Sequence, residues 1–212
     1  MNRRIAVAVL LWVTAIALVL GLSAGPAWSV ALYRLVAVEP LLGWGAWLSE
    51  AAVLALVALY GAAGLWALWG PHRRDWVLLL RLFAGGLAAC LSYGLNLVLK
   101  GSFSAVRPCH LHEVVSVCPP ADNWSFPSNH TVIACSLMIG LVVARPRLAW
   151  VAVPLAVLAA CARVASGDHY PHDVLAGAAV GTLFYLGAAA VALPVLDHGA
   201  RRLRGAAEKY RS

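Results

Sequence analysis

Apolar residues run through this chain in six long blocks, and polar residues gather in the short breaks between them. The blocks lie roughly at Ile5–Leu22, Ala51–Trp69, Val77–Leu99, His130–Val143, Leu148–Val164 and Val174–Leu196. A helix needs about 20 mainly apolar residues to cross a bilayer, with a range of about 17–25. Each block therefore predicts a membrane-spanning helix, the fourth being short by this measure. Glycine and proline punctuate most breaks, as at Gly25-Pro26, Gly70-Pro71 and Arg145-Pro146. The pattern predicts an all-α polytopic membrane protein, with six transmembrane helices in one bundle and residues 1–212 forming a single domain. No second domain, linker, internal repeat or low-complexity tract interrupts it.

Asn2-Arg3-Arg4 before the first block and Leu22-Ser-Ala-Gly25 after it resemble the ends of a secretory signal. The apolar run exceeds the about 7–15 residues of such a signal, so it is expected to remain an uncleaved span. The segment from Trp28 to Trp47 contains Arg34, Glu39, Trp44 and Trp47. It reads as a helix lying at the membrane interface, the depth tryptophan favours, with a re-entrant segment as the alternative.

Composition strengthens the membrane reading. The chain is 62% hydrophobic and 12% charged, whereas a soluble domain is about half apolar and about a quarter charged. The net charge of +7 does not point to nucleic acid, because the basic residues form no single stripe and fall in the breaks. With the N-terminus inside, the cytoplasmic breaks hold Arg3, Arg4, Arg73, Arg74, Arg145 and Arg147, and the tail adds Arg201, Arg202, Arg204, Lys209 and Arg211. The other side holds Arg34, Lys100, Arg107 and Arg163, while Arg81 sits one turn into the third block, within snorkelling reach of the inside. This bias places both termini in the cytoplasm. The basic tail is expected to meet anionic headgroups.

Three of the four outer cations belong to short polar clusters, which the positive-inside bias alone would exclude from that face. The clusters are Lys100 to Pro108, Phe126 to His130 and Arg163 to Asp173. Charge beside hydrocarbon is expensive and rarely present without a task. Arg107 and Arg163 can each grip two phosphate oxygens, with Lys100 as a compact point charge. Ser128 can donate its hydroxyl, and the backbone amides around Asn129 and His130 are expected to open a helix, a natural anion site. His169 and Asp173 are four apart, so the carboxylate can orient the ring and leave its other nitrogen to attack phosphorus. His130 is then free to protonate the leaving oxygen. The cations already balance the oxyanion, so no metal or cofactor is expected. A zinc cluster built from Asp168, His169, His172 and Asp173 is the competing reading. It is weakened by Pro171 and by three cations that would repel a metal. His172 and Asp168 are read as loop residues.

These clusters resemble the type-2 phosphatidic acid phosphatase family, which shares its site with vanadium haloperoxidases. Lys100 with Arg107-Pro108, Pro127-Ser128-Asn129-His130, and Arg163, His169 and Asp173 match the three family motifs in order and spacing. Asn129 replaces the family glycine and Ala162 the family serine. Asparagine tolerates positive φ, and its amide is a candidate substrate contact. The resemblance implies six membrane helices, an extracytoplasmic site and a phosphohistidine at His169. It further implies a membrane lipid substrate carrying phosphate or diphosphate. A bacterial polyprenyl diphosphate such as undecaprenyl diphosphate is the first expectation. A phosphatidylglycerophosphate, phosphatidic acid, lipid A or polyprenyl-phosphoribose phosphatase is the alternative. An anion transporter or a scaffold would be the non-enzymatic readings.

Cys90, Cys135 and Cys161 fall inside blocks and read as small apolar fillers, while Cys109 and Cys118 share the long outer break. Outside the cytoplasm these two can pair as a disulfide and stiffen the segment carrying Arg107. His110, His112 and Glu113 in the same break receive no role. Glycines and alanines, among them Gly85, Gly86, Gly177 and Gly181, suit close helix packing.

Overall fold

The computed structural model describes residues 3–37, 39–70, 75–112 and 118–209. Arg73, Arg74, Glu113 and Arg211 lie outside the described residues, and the tail side chains are likewise not described. The described residues form helices α1 (Arg3–Ser23), α2 (Ala27–Val36), α3 (Glu39–Trp69), α4 (Trp76–Phe103) and α5 (Pro108–His112). After them come α6 (Asn129–Ala144), α7 (Ala149–Ala165), α8 (Pro171–Ala179) and α9 (Tyr185–Lys209). A π-helical turn, Val180–Phe184, joins α8 to α9 without a break in the rod. No strand occurs among the described residues.

Five stretches are long and apolar enough to cross a membrane: Arg3–Ser23, Gly43–Trp69, Trp76–His112, Pro146–Ala165 and Pro171–Leu196. The fourth block becomes α6, with 16 residues, about 24 Å at 1.5 Å per residue. It packs against α3, α4, α7 and α8, and Val132, Ala134 and Leu141 are wholly buried. A helix enclosed by other helices need not match the lipid thickness, which explains its modest length.

The reading of Trp28 to Trp47 as one interfacial helix is corrected from Glu39 onward, where the chain enters α3, whose stretch Gly43–Trp69 is long and apolar enough to cross a membrane. The segment divides into α2 and the first turns of α3, and α3 starts twelve positions before the second apolar block. Pro40 sits at the second position of α3, where its missing N–H leaves no helical bond unmade. Trp44 and Trp47 are exposed near one end of α3, and Trp66 and Trp69 near the other. Trp47 and Trp66 are 19 positions apart, about 29 Å along a helix, against a hydrocarbon core of about 30 Å. The tryptophans do mark interface depth, but on a spanning helix.

Small residues bring the helices close. Ala152, Ala156 and Ala159 of α7 are buried against α3, and Ser49 donates to the Ala159 carbonyl at 3.1 Å. At Gly45 an added Cβ would fall 2.5 Å from the Ser166 nitrogen. At Gly177 it would fall 2.7 Å from the Ser128 carbonyl oxygen. Both glycines bring a helix against backbone that carries the polar clusters. Gly85 and Gly181 are similarly crowded, whereas Gly86 faces open space.

Candidate active site

All three polar clusters meet at one end of the bundle. The last turn of α4 supplies Lys100, and Arg107 stands just before α5. Ser128, Asn129 and His130 open α6, and Arg163 ends α7. His169 lies in the turn between α7 and α8, and Asp173 in the first turn of α8. The fold places them here because each is at a helix end, and the α7–α8 turn folds back over the start of α6. The Ser128 amide donates to the Asp173 carbonyl at 3.0 Å and ties the last two clusters together.

The site is a buried excess of positive charge. Lys100, Arg107 and Arg163 are 5%, 4% and 5% exposed, against two carboxylates, Asp168 and Asp173, at 6% and 1%. Asp168, in the turn between α7 and α8 as expected, pairs with Arg163 at 3.0 Å and accepts from Ser166 at 3.0 Å, so this loop residue fixes one of the three cations. Arg163 Nε is buried without a partner. Lys100 Nζ makes one long bond, 3.4 Å to Asn123 Oδ1. Buried donors left open are costly, and an oxyanion entering between these cations would satisfy them.

His169 is 1% exposed. Its Nε2 lies 3.1 Å from Arg107 Nη1. A guanidinium is donor only, so Nε2 must present its lone pair and the ring proton must sit on Nδ1. That nitrogen faces Ser125 Oγ at 3.3 Å and Asp173 Oδ2 at 3.4 Å. Asp173 Oδ2 also accepts from the Ser125 hydroxyl in a short bond and from the Tyr170 amide at 2.8 Å. Burial, followed by the charges of Arg107, Arg163 and Lys100, holds His169 well below the usual imidazole range. Protonation would add charge to an already positive buried site. Stability from this group is thus present above the ordinary imidazole range and lost as pH falls below it. The ring signal assigned to His169 by its absence in His169→Ala is expected to show no protonation as the pH falls through the ordinary imidazole range. Titration of that signal near pH 6.5 would contradict the electrostatics.

The remaining expected residues have definite places. Ser128 is fully buried and its oxygen accepts from Thr131 Oγ1 at 3.2 Å, leaving its own hydrogen to donate. The His130 ring lies within electrostatic reach of Arg163, Arg107 and Lys100. Asn129 has no positive φ; it opens α6, and its Oδ1 accepts from Asn96 Nδ2 at 2.7 Å. The substitution of asparagine for the family glycine is thus met by a side-chain partner rather than by an unusual backbone. Cys109 and Cys118 are joined in a disulfide with Cα atoms 5.8 Å apart, next to Arg107. His172 is buried in the first turn of α8, not in a loop. Its Nε2 lies 3.3 Å from Asp173 Oδ1 without forming a hydrogen bond, and that oxygen has no other partner. Among the described residues no three His, Cys, Asp or Glu side chains are grouped to hold a metal ion.

Three contributors carried no sequence signal. Ser125 joins Asp173 to His169. Asn123 holds Arg107 by its carbonyl, 2.6 Å from Nε, and by Oδ1, 2.9 Å from Nη2. Asn96 props Asn129. Their types are common, and only tertiary packing brings them to the site.

A family model described as the PAP2 superfamily matches residues 81–194 of the 212-residue chain, more than half of it. The chain belongs to the PAP2 superfamily. Undecaprenyl-diphosphatase BcrC of Bacillus subtilis is similar to it at 28% identity over 142 residues, covering 65% of this chain and 70% of that protein. A decaprenylphosphoryl-5-phosphoribose phosphatase of Mycobacterium tuberculosis is 30% identical over 128 residues, 59% of this chain and 64% of its own length. The crystal structure of a transmembrane PAP2 type phosphatidylglycerolphosphate phosphatase from Bacillus subtilis has a TM-score of 0.64 to this chain. It is 23% identical, with 85% of this chain and 93% of that one covered, and at that identity the likeness is one of fold. This PAP2 protein is an enzyme, a lipid phosphatase of the membrane.

Proposed function

We propose that the chain hydrolyses a polyprenyl diphosphate to its monophosphate through a phosphohistidine on His169. The observation carrying this reading is a neutral imidazole lone pair facing three buried cations that outnumber their carboxylates. The terminal phosphoryl group sits among Lys100, Arg107 and Arg163, with Ser128 and the amides of Asn129 and His130 on its oxygens. Arg107 transfers its donor from Nε2 to a phosphoryl oxygen. Nε2 then attacks phosphorus in line, the bond to the bridging oxygen breaks, and His130 supplies any proton that oxygen takes. Water attacks the phosphohistidine, giving up its proton to His130, and inorganic phosphate leaves while His169 returns to its neutral state. Throughout, the Nδ1 proton stays against Ser125 and Asp173, which stabilise the charged ring.

The prenyl choice draws on two relatives named for undecaprenyl and decaprenyl phosphates. The second favours a polyprenyl-phosphoribose as the next substrate to test; phosphatidylglycerophosphate, phosphatidic acid and lipid A follow. We also read α6 as a sixth span and residues 1–212 as one domain. Both termini are then cytoplasmic and the site faces outward from a bacterial plasma membrane. The end opposite the site carries Arg3, Arg4, Arg81, Arg145 and Arg147, which supports that orientation.

Phosphate release by purified protein on a panel of these lipids, with EDTA present, tests the reading. The expected result is fastest release from the polyprenyl diphosphate, unchanged by EDTA. Release that ceases on chelation and returns with zinc, or none from any lipid, would overturn it.

A further inference from the structure

The buried face of α2, a helix with no chemical role so far, touches the nucleophile's turn at both ends. Ser29 and Tyr33, four apart on one face, are 0% and 1% exposed. At the start of the turn, Tyr33 donates its hydroxyl to the Gly167 carbonyl at 3.2 Å. Its ring also packs edge-on against Tyr170 at 5.0 Å. At the far end, Ser29 Oγ accepts from the His172 amide at 3.0 Å and lies 2.9 Å from His172 Nδ1. His169 stands between these two anchor points.

The second contact reaches further. His172 Nε2 faces Asp173 Oδ1 at 3.3 Å. A lone pair there would oppose a carboxylate in a buried site, so the proton belongs on Nε2. Nδ1 is then the acceptor, and the Ser29 hydroxyl hydrogen, unused by the amide contact, donates to it. The opposite oxygen of Asp173 receives Ser125, Tyr170 and His169. Trp28, Leu32 and Leu35 are exposed on α2, and so is Arg34. This pattern seats a helix at the boundary of hydrocarbon and headgroups.

We infer that α2 positions the nucleophile. Tyr33 and Ser29 fix the two ends of the turn carrying His169, and Ser29 sets the His172 tautomer whose Nε2 lies 3.3 Å from Oδ1 of the orienting carboxylate. Neither residue touches the reacting atoms. They are positioning residues, and the inference rests on the reading of His169 as nucleophile.

The test is Ser29→Ala combined with Tyr33→Phe, which keeps the tyrosine ring and adds no bulk. The variant is compared with wild type and with His169→Ala on the best lipid of the panel. Three quantities are measured: kcat, KM, and inhibition by inorganic phosphate. The expected result is a kcat at least ten-fold lower, with KM and phosphate inhibition within two-fold of wild type. A kcat within ten-fold of wild type overturns the inference. So does a loss of phosphate affinity parallel to that of kcat, because the anion grip itself would then have collapsed. Activity surviving in His169→Ala would instead sink the proposed function, whatever the double variant does.

Discussion

Replacing His169 by alanine is expected to lower kcat by about 10⁴-fold or more, because no other side chain can take over the attack. His172 is turned toward Ser29 and Asp173. His130 is on α6, and the charges that act on it among the described residues are Arg163, Arg107 and Lys100, with no carboxylate to orient it. Retention of Lys100, Arg107 and Arg163 means that inorganic phosphate should still inhibit any residual activity or bind directly. Initial rates on the best lipid, with phosphate binding measured alongside, check both halves. A variant turning over within about ten-fold of wild type would assign the chemistry to another group.

The second large effect is at Asp173. Its Oδ2 collects three donors, from Ser125, Tyr170 and His169. Exchange for asparagine keeps the size, removes the negative charge, and presents either a competing N–H or a weaker acceptor. The ring of His169 then loses its tautomer preference and the stabilisation of its phosphorylated, positive form. A kcat loss of about 10²–10⁴-fold is expected, by analogy with the orienting carboxylate of a catalytic triad. KM should change by less than about three-fold, because the phosphate ligands are untouched. Ser125→Ala should follow the same pattern more weakly, since the direct Nδ1–Oδ2 approach of 3.4 Å remains. Equal turnover in wild type and Asp173→Asn would remove the orienting role.

The site was legible in the sequence wherever charge stood against hydrocarbon. Lys100, Arg107, Arg163, His169 and Asp173 are conspicuous in a chain so apolar, and each falls in a break or, for Arg163, at the end of a block, and the fold brings these points to one end. What escaped were ordinary polar residues whose role depends on who lies opposite. Asn96 and Ser29 look like minor polar interruptions, Tyr33 like interfacial filler, and Asn123 and Ser125 like loop. None has a spacing rule, because their partners are 31 to 143 positions distant or, for Asn123, 16 and 23.

Helix boundaries failed for a related reason. Glu39, the tryptophans and Glu50 lower the hydropathy before Ala51, so the span seemed to begin there. The real α3 continues upward because Gly45 and Ser49 pack on α7 and its following turn. Packing against protein, not lipid, decides that end. Pro171 reads as a breaker, so the sequence predicts a loop for both Asp168, which is in one, and His172, which is not. In the structure Pro171 is the first residue of α8, a position where proline is well tolerated, and His172 and Asp173 follow it into the helix.

In the proposed mechanism His169 carries the phosphoryl group between the lipid and water. Rapid-quench mixing of purified protein with terminally ³²P-labelled polyprenyl diphosphate, followed by peptide mapping at alkaline pH, measures it most directly. An acid-labile, alkali-stable label is expected on the peptide containing His169. That label should form no more slowly than phosphate is released, and it should be absent in His169→Ala. Phosphate released at full rate with no label on that histidine at any time would contradict it.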